Sequence, residues 1–295
     1  MDLGLGFALI AAVVWGVYIF RLKRLFDGYP AAALTVLINV AAVTWYLPVV
    51  LTGEGGARAA VDAAGAFGAR ELGVTAVTVV ATAAAFVLFL RAIATGEVSY
   101  VTPINKVVPM FVLPMEVLLL GQVLAPIQVA GVVVATLAVY VANYEPGGFF
   151  EPFRKAARSR PAQLALVSAA CYAVSDLGKR VALQELAIPE RLWVPLLLLG
   201  VALVLLPGAI RTRPDPERVR ADLPKFVLAG ALVALGEHVT TLAFALLPAS
   251  IASPVINTQA VVAVVLGGVL LGERYFRVRL VAAVLAVVGV TLIAM

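Results

Sequence analysis

One cysteine and one histidine in 295 residues remove two chemistries at the outset. Cys171 alone forms no internal disulfide, and His238 alone makes no His-rich metal site. Charge is scarce as well: 13% of residues are charged and 63% hydrophobic, with a mean hydropathy of +1.04. A soluble domain is roughly half apolar and a quarter charged, so this composition excludes one. A metal motif, a nucleotide loop and a nucleophile elbow are missing. The glycines from Gly53 to Gly56 and the Gly147-Gly148 pair lack the strand and helix context of a phosphate loop. No enzyme, cofactor or metal is therefore expected. The formal net charge of +5 does not point to nucleic acid, because the basic residues form short clusters between apolar runs and read as topology signals. The N-terminus lacks a small-residue cleavage site, and its apolar stretch is long enough to be a retained span.

What is abundant is apolar sequence in lengths near one membrane crossing, about 20 residues. Ten such runs follow one another, at about 3–20, 31–51, 72–93, 99–120 and 126–143, then 161–178, 192–210, 226–247, 250–271 and 278–294. A polar segment at 146–160, rich in Pro, Gly and basic residues, links residues 1–145 to 161–295. Residues 54–62 and 211–225 read as solvated loops. The third run is rich in Ala and Thr, which suits close helix packing.

The halves echo each other. With an offset of 151, Ser99 falls on Ser250, Thr102 on Ser253, Pro103 on Pro254, Leu119-Leu120 on Leu270-Leu271 and Gly121 on Gly272. With an offset of 157, Ala8-Leu9-Ile10 overlie Ala165-Leu166-Val167, and Trp15 overlies Tyr172. Because five is odd, a second copy crosses in the opposite sense to the first. The expected fold is an all-α polytopic membrane protein, with ten transmembrane helices as two inverted five-helix repeats in one transmembrane domain. Of the 22 Lys and Arg residues, 16 lie in odd-numbered connections and five in even-numbered ones (Arg58, Arg70, Lys179, Arg180, Arg191), leaving Lys106 inside a run. The positive-inside rule then makes the odd connections cytoplasmic and puts both termini outside, in a multi-pass plasma (inner) membrane protein. Lys179 and Arg180 are the main dissent.

Candidate functional residues are the ionisable and amide groups at membrane depth. Lys106 lies about two turns inside the fourth run, where an unpaired ammonium costs at least about 2.5 kcal/mol. It is expected either to anchor an anionic cargo or to pair with a buried acid. Glu237 and His238, midway along the eighth run, are candidate proton carriers or cargo contacts. Adjacent helix positions point about 100° apart, so at most one of them faces a central cavity. The bland alternative is that Glu237 neutralises Lys106 while His238 bonds a backbone carbonyl. Glu116 and Asp176 read as vestibule or salt-bridge residues near the outer ends of runs four and six. Asn39, Asn105, Asn257 and Gln259 suit an amino acid or polyol, or else bond neighbouring helices. Trp15, Tyr18, Tyr100 and Tyr172 are candidates to line an aromatic pocket or to belong to interfacial belts. Pro103, Pro109, Pro114 and Pro254 offer bends, with Pro103 and Pro254 equally explained as helix starters.

Ten runs in a five-plus-five duplication, the Ser-x-x-Thr-Pro start at Ser99 to Pro103, its Ser-x-x-Ser-Pro echo at Ser250 to Pro254, and the Leu-Leu-Gly-Glu stop at Leu270 to Glu273 together resemble the drug/metabolite transporter superfamily in its EamA-type branch. That resemblance implies an alternating-access carrier whose cavity is lined mainly by the first, third, fourth, sixth, eighth and ninth helices. The sequence departs from the pattern at Gln122, which lacks the acidic residue of the second repeat, and at Lys106. The superfamily's sugar-phosphate branch uses basic residues in the fourth and ninth helices, whereas here the ninth has Asn257. A carboxylate cargo therefore fits better than a doubly charged phosphate.

The leading expectation is a secondary carrier for a small polar metabolite, an amino acid or other carboxylate, with protons as a candidate coupling ion or exchange as the alternative. The second is an exporter of cationic or apolar drugs, and the third a non-transporting scaffold or receptor. The partners expected are a small-molecule substrate and the lipid bilayer, with no nucleic acid, and the protein is expected to be a monomer or homodimer.

Overall fold

The computed structural model describes residues 3–26, 28–53, 55–95, 105, 107–142, 159–262, 265–266, 276–293 and 295. The described helices are α1 (Leu3–Leu25), α2 (Ala31–Thr52), α3 (Gly56–Gly65), α4 (Ala69–Thr95), α5 (Val108–Leu120), α6 (Pro126–Ala142), α7 (Arg160–Arg180), α8 (Glu190–Arg211), α9 (Pro216–Ala221), α10 (Leu223–Leu246), α11 (Ala249–Asn257) and α12 (Phe276–Ile293). A π-helical turn, Val181–Glu185, continues α7.

The boundaries follow local chemistry. Asp215 accepts the Glu217 N–H and starts α9 with Pro216 in the first turn. Gly121, at φ 64°, ends α5 with its N–H donating to the Glu116 carbonyl, a left-handed cap that a side chain would strain. Five described helices, α1, α2, α4, α8 and α10, are long and apolar enough to cross a membrane, and shorter apolar helices occur within α5, α6 and α12.

Helix pairing carries the two-repeat relation. The α1 helix packs on α10 and α4 on α7, while α2 pairs with α8, α5 with α11 and α6 with α12. Exchanging each helix with its counterpart in the other repeat leaves this set of pairs unchanged. Small residues let the backbones approach. The expected packing of the Ala- and Thr-rich third run is met on α7: Thr78 is fully buried, and the Thr82 and Ser175 hydroxyls lie 2.6 Å apart. In α6 and α12, a Cβ on Gly131 would come 2.8 Å from the Gly289 carbonyl, and one on Gly289 would come 2.5 Å from the Ala135 nitrogen.

Four local expectations need correction. Residues 54–62 are not all loop, because the Ala-rich stretch that follows Gly55 forms α3. Likewise α9 interrupts the 211–225 loop. The ninth run is not one continuous helix in the described residues, since α11 ends at Asn257 and Thr258 forms a turn; Pro254 lies inside α11, with Pro248 preceding its start. Finally, the sixth run does not stop at Gly178. Lys179 and Arg180 are the buried last residues of α7, not loop charges, because acidic side chains meet both. Only Arg58, Arg70 and Arg191 then remain of the five basic residues assigned to even-numbered connections.

Candidate functional site

Helix spacing sets out one row of the site. On α7, Tyr172, Asp176 and Lys179 fall at i, i+4 and i+7 and share a face. Facing it, α10 brings Glu237, α11 brings Ser253 and Asn257, and α1 brings Trp15 and Tyr18.

Lys179 Nζ lies 3.1 Å from Glu237 Oε2 and 3.4 Å from Oε1, with side-chain exposures of 7% and 11%. Tyr172 lies within electrostatic reach of Tyr18, Asp176 and Glu237. Asp176 Oδ2 accepts a 2.6 Å hydrogen bond from the Ser253 hydroxyl. Asn257 Nδ2 donates to the Ser253 carbonyl at 2.9 Å and lies 3.3 Å from its Oγ. Trp15 Nε1 donates to Thr240 Oγ1 at 2.9 Å, and its ring meets Tyr18 edge to face with centroids 5.6 Å apart. Gly236 makes room for that indole, since a Cβ there would come 2.9 Å from the ring. The cluster thus sets two carboxylates and one ammonium beside three aromatic rings.

A second polar group lies next to it along α7. Glu116, fully buried on α5, accepts the backbone N–H groups of Ala249 and Ser250 at 2.7 Å each, at the start of α11, and forms an ion pair with Arg180 Nε at 2.8 Å. A carboxylate at a helix N-terminus also meets the positive end of the helix dipole. Arg180 reaches on to Glu185 at 2.9 Å, and Gln184 Nε2 donates to the Phe244 and Leu247 carbonyls. Of the two expectations for Glu116 the salt bridge is the one observed, and it makes a buried tie between the repeats.

The structure brings together Trp15, Tyr18, Tyr172, Asp176, Glu237 and Asn257 among the residues singled out from sequence. His238 turns the other way: its Nδ1 lies 2.9 Å from the Tyr46 hydroxyl of α2. Asn39 donates to the Leu198 carbonyl at 3.0 Å, and Asn105 donates to Ser168 Oγ, which in turn donates to the Ala85 carbonyl, so both amides join helices. Lys106 and Tyr100 lie outside the described residues. Glu237 takes Lys179 as its described partner, a lysine that the sequence alone places in a connection. The signal was present in the Tyr172, Asp176, Lys179 spacing, which extends the helical face beyond the apolar run.

The model of the EamA-like transporter family matches residues 2–144 and again 160–295. One solved crystal structure has a TM-score of 0.80 with this fold at 14% sequence identity, covering 100% of this chain and 99% of that one. No curated protein matches the chain in sequence.

Proposed function

The chain belongs to the EamA-like transporter family, and is thus a membrane transporter, and we propose that it is a secondary carrier for a small zwitterion such as an amino acid. The observation that supports this cargo class is the buried Lys179–Glu237 pair beside Asp176. Breaking a buried pair by removing one partner costs about 3–5 kcal/mol, because the other charge is left uncompensated. A zwitterion avoids that cost. Its carboxylate replaces Glu237 at Lys179 while its amine takes the vacated Glu237 or Asp176, so both charges stay matched as the pair opens. A dianionic phosphate leaves the two acids facing added negative charge.

In this proposal the aromatic wall of Trp15, Tyr18 and Tyr172 packs the cargo's side chain, and Asn257 and Ser253 orient its polar end. Lys106 remains a candidate second anchor for the anion, with Tyr100 as a further wall, and Asn39 and Asn105 are candidates only if their interhelical bonds open. Glu237 is the first candidate coupling group and His238 the second. Ten crossings in two inverted repeats, with odd connections cytoplasmic, fit the exchange pattern of helix pairs and the charge bias once Lys179 and Arg180 leave the connections.

A second reading, export of cationic drugs, draws on the excess of two carboxylates over one ammonium. Counterflow of labelled amino acids into proteoliposomes tests the first reading, with Lys179→Ala and Lys106→Ala compared against wild type. Counterflow by wild type that Lys179→Ala abolishes supports it. Uptake of organic cations with opposed proton flux, and none of zwitterions, would establish the second reading instead.

A further inference from the structure

A groove of about 500 Å³ opens where α2, α8, α9 and α10 meet, away from the cargo cluster and independent of it. Its volume falls in the range of small-molecule sites. The floor is apolar: Val36 and Leu37 come from the first two turns of α2, Ile210 from the last turn of α8 and Val219 from α9. Val36, Leu37 and Ile210 lie within about 10 Å of the ends of α2 and α8 at 1.5 Å per residue, near the membrane surface, while α9 lies beyond the spans. The rim carries Arg213 and Arg220, both exposed.

Arg218 and Lys225 nearby meet Asp222, whereas Arg213 and Arg220, like Arg211 outside the groove, have no ion pair among the described residues. Arg218 stacks over the Tyr29 ring at 4.3 Å and lies 4.0 Å from Asp222, which also takes Lys225 and the Tyr29 hydroxyl. Asp215 is engaged in capping α9. Among the described residues, neither Arg213 nor Arg220 has an acidic partner. Two uncompensated guanidiniums at the mouth of an apolar groove, in a helix-end position, match a phosphodiester above hydrocarbon. Arginine is the cation suited to that group, because its planar fork bonds two phosphate oxygens at once.

We propose that this groove is a binding site for an anionic phospholipid of the surrounding membrane, with the phosphate held between Arg213 and Arg220 and an acyl chain along Val36, Leu37 and Ile210. The full chain is placed in nanodiscs of phosphatidylcholine alone, or with part of it replaced by phosphatidylglycerol, and its melting temperature is followed. The expected result is a higher melting temperature with phosphatidylglycerol, a shift lost in R213Q/R220Q and in the groove-filling Val36→Trp, and kept in Arg211→Gln, an exposed basic neighbour outside the lining. If R213Q/R220Q fails to fold, native mass spectrometry of wild type decides, with phosphatidylglycerol expected to stay bound preferentially over phosphatidylcholine. Equal retention of the two lipids, a shift that survives in the folded double variant, or an equal loss in Arg211→Gln overturns the proposal. So does reproduction of the shift in phosphatidylcholine discs by inorganic phosphate, which would mark a headgroup-only anion site.

Discussion

Glu116 of the first repeat and Arg180 of the second form a fully internal ion pair, 2.8 Å between Oε1 and Nε. The same carboxylate holds the first two backbone N–H groups of α11, so its removal leaves the buried guanidinium with only the half-exposed Glu185 and orphans two donors. Glu116→Ala is expected to destabilise the protein by about 3–5 kcal/mol. Glu116→Gln, which still accepts hydrogen bonds, is expected to lose less. Chemical unfolding in detergent, followed by circular dichroism, ranks the variants, and a Glu116→Ala protein as stable as wild type would refute the assignment.

Lys179 and Glu237 separate stability from transport. Lys179→Met alone strands a carboxylate in the core and lowers the melting temperature. K179M/E237L removes both charges and is expected to recover most of that loss, since apolar pairs of similar volume replace buried ion pairs at little or no cost. Counterflow is expected to vanish in both. A double variant that transports normally would show that the pair is structural and that the cargo binds elsewhere.

The α6–α12 seam is close-packed, with backbone atoms nearest to both of its glycines. Gly131→Ala places a methyl 2.7 Å from the Ile293 nitrogen and 2.8 Å from the Gly289 carbonyl. Neither atom can rotate away, so overpacking of about 1–3 kcal/mol is expected. Gly73→Ala on α4 has nothing within 4 Å of the added carbon and is expected to be neutral or slightly stabilising. Paired melting curves check the contrast.

Outside the spans, Asp222 gives a pH signature. Its bonds to Lys225 and to the Tyr29 hydroxyl hold its carboxyl below the usual value. A depressed carboxyl pKa contributes stability that is present above the ordinary value, about 3.9, and is lost as pH falls through the folded value. Burial, and then the bond to Asp222, raise the Tyr29 phenol, so its contribution is present below about 10 and is lost as pH rises beyond that. Asp222→Asn is expected to flatten the acid side of the melting-temperature profile relative to wild type. An unchanged acid limb would remove the cluster from the account of stability.

The class, the duplication and most helix positions were legible because they depend on composition and period, which a sequence displays directly. Trp15 and Tyr172, matched across the repeats by offset alone, do enter one cluster, because counterpart helices frame the same space. The charges were harder. Lys179 and Arg180 end an apolar run, and in a linear string that place looks like a membrane boundary. Glu116 and Glu237, which bring them into the interior, lie on other helices, so no local window contains the pairs. His238 was legible as a polar residue at depth, but its direction is set by the neighbour of α10 on that side, where α2 presents Tyr46. The break after α11 has no proline or glycine to announce it, since Asn257 and Thr258 bond the preceding turn through their own side chains.

Gly131 and Gly289 occupy counterpart helices, and a Cβ on either would run into main-chain atoms of the other helix. A contact made of main chain has no rotamers to exchange and no slack to take up. The spacing of the two helix axes is therefore set at this point by the missing side chains, and one added methyl has to push α6 and α12 apart.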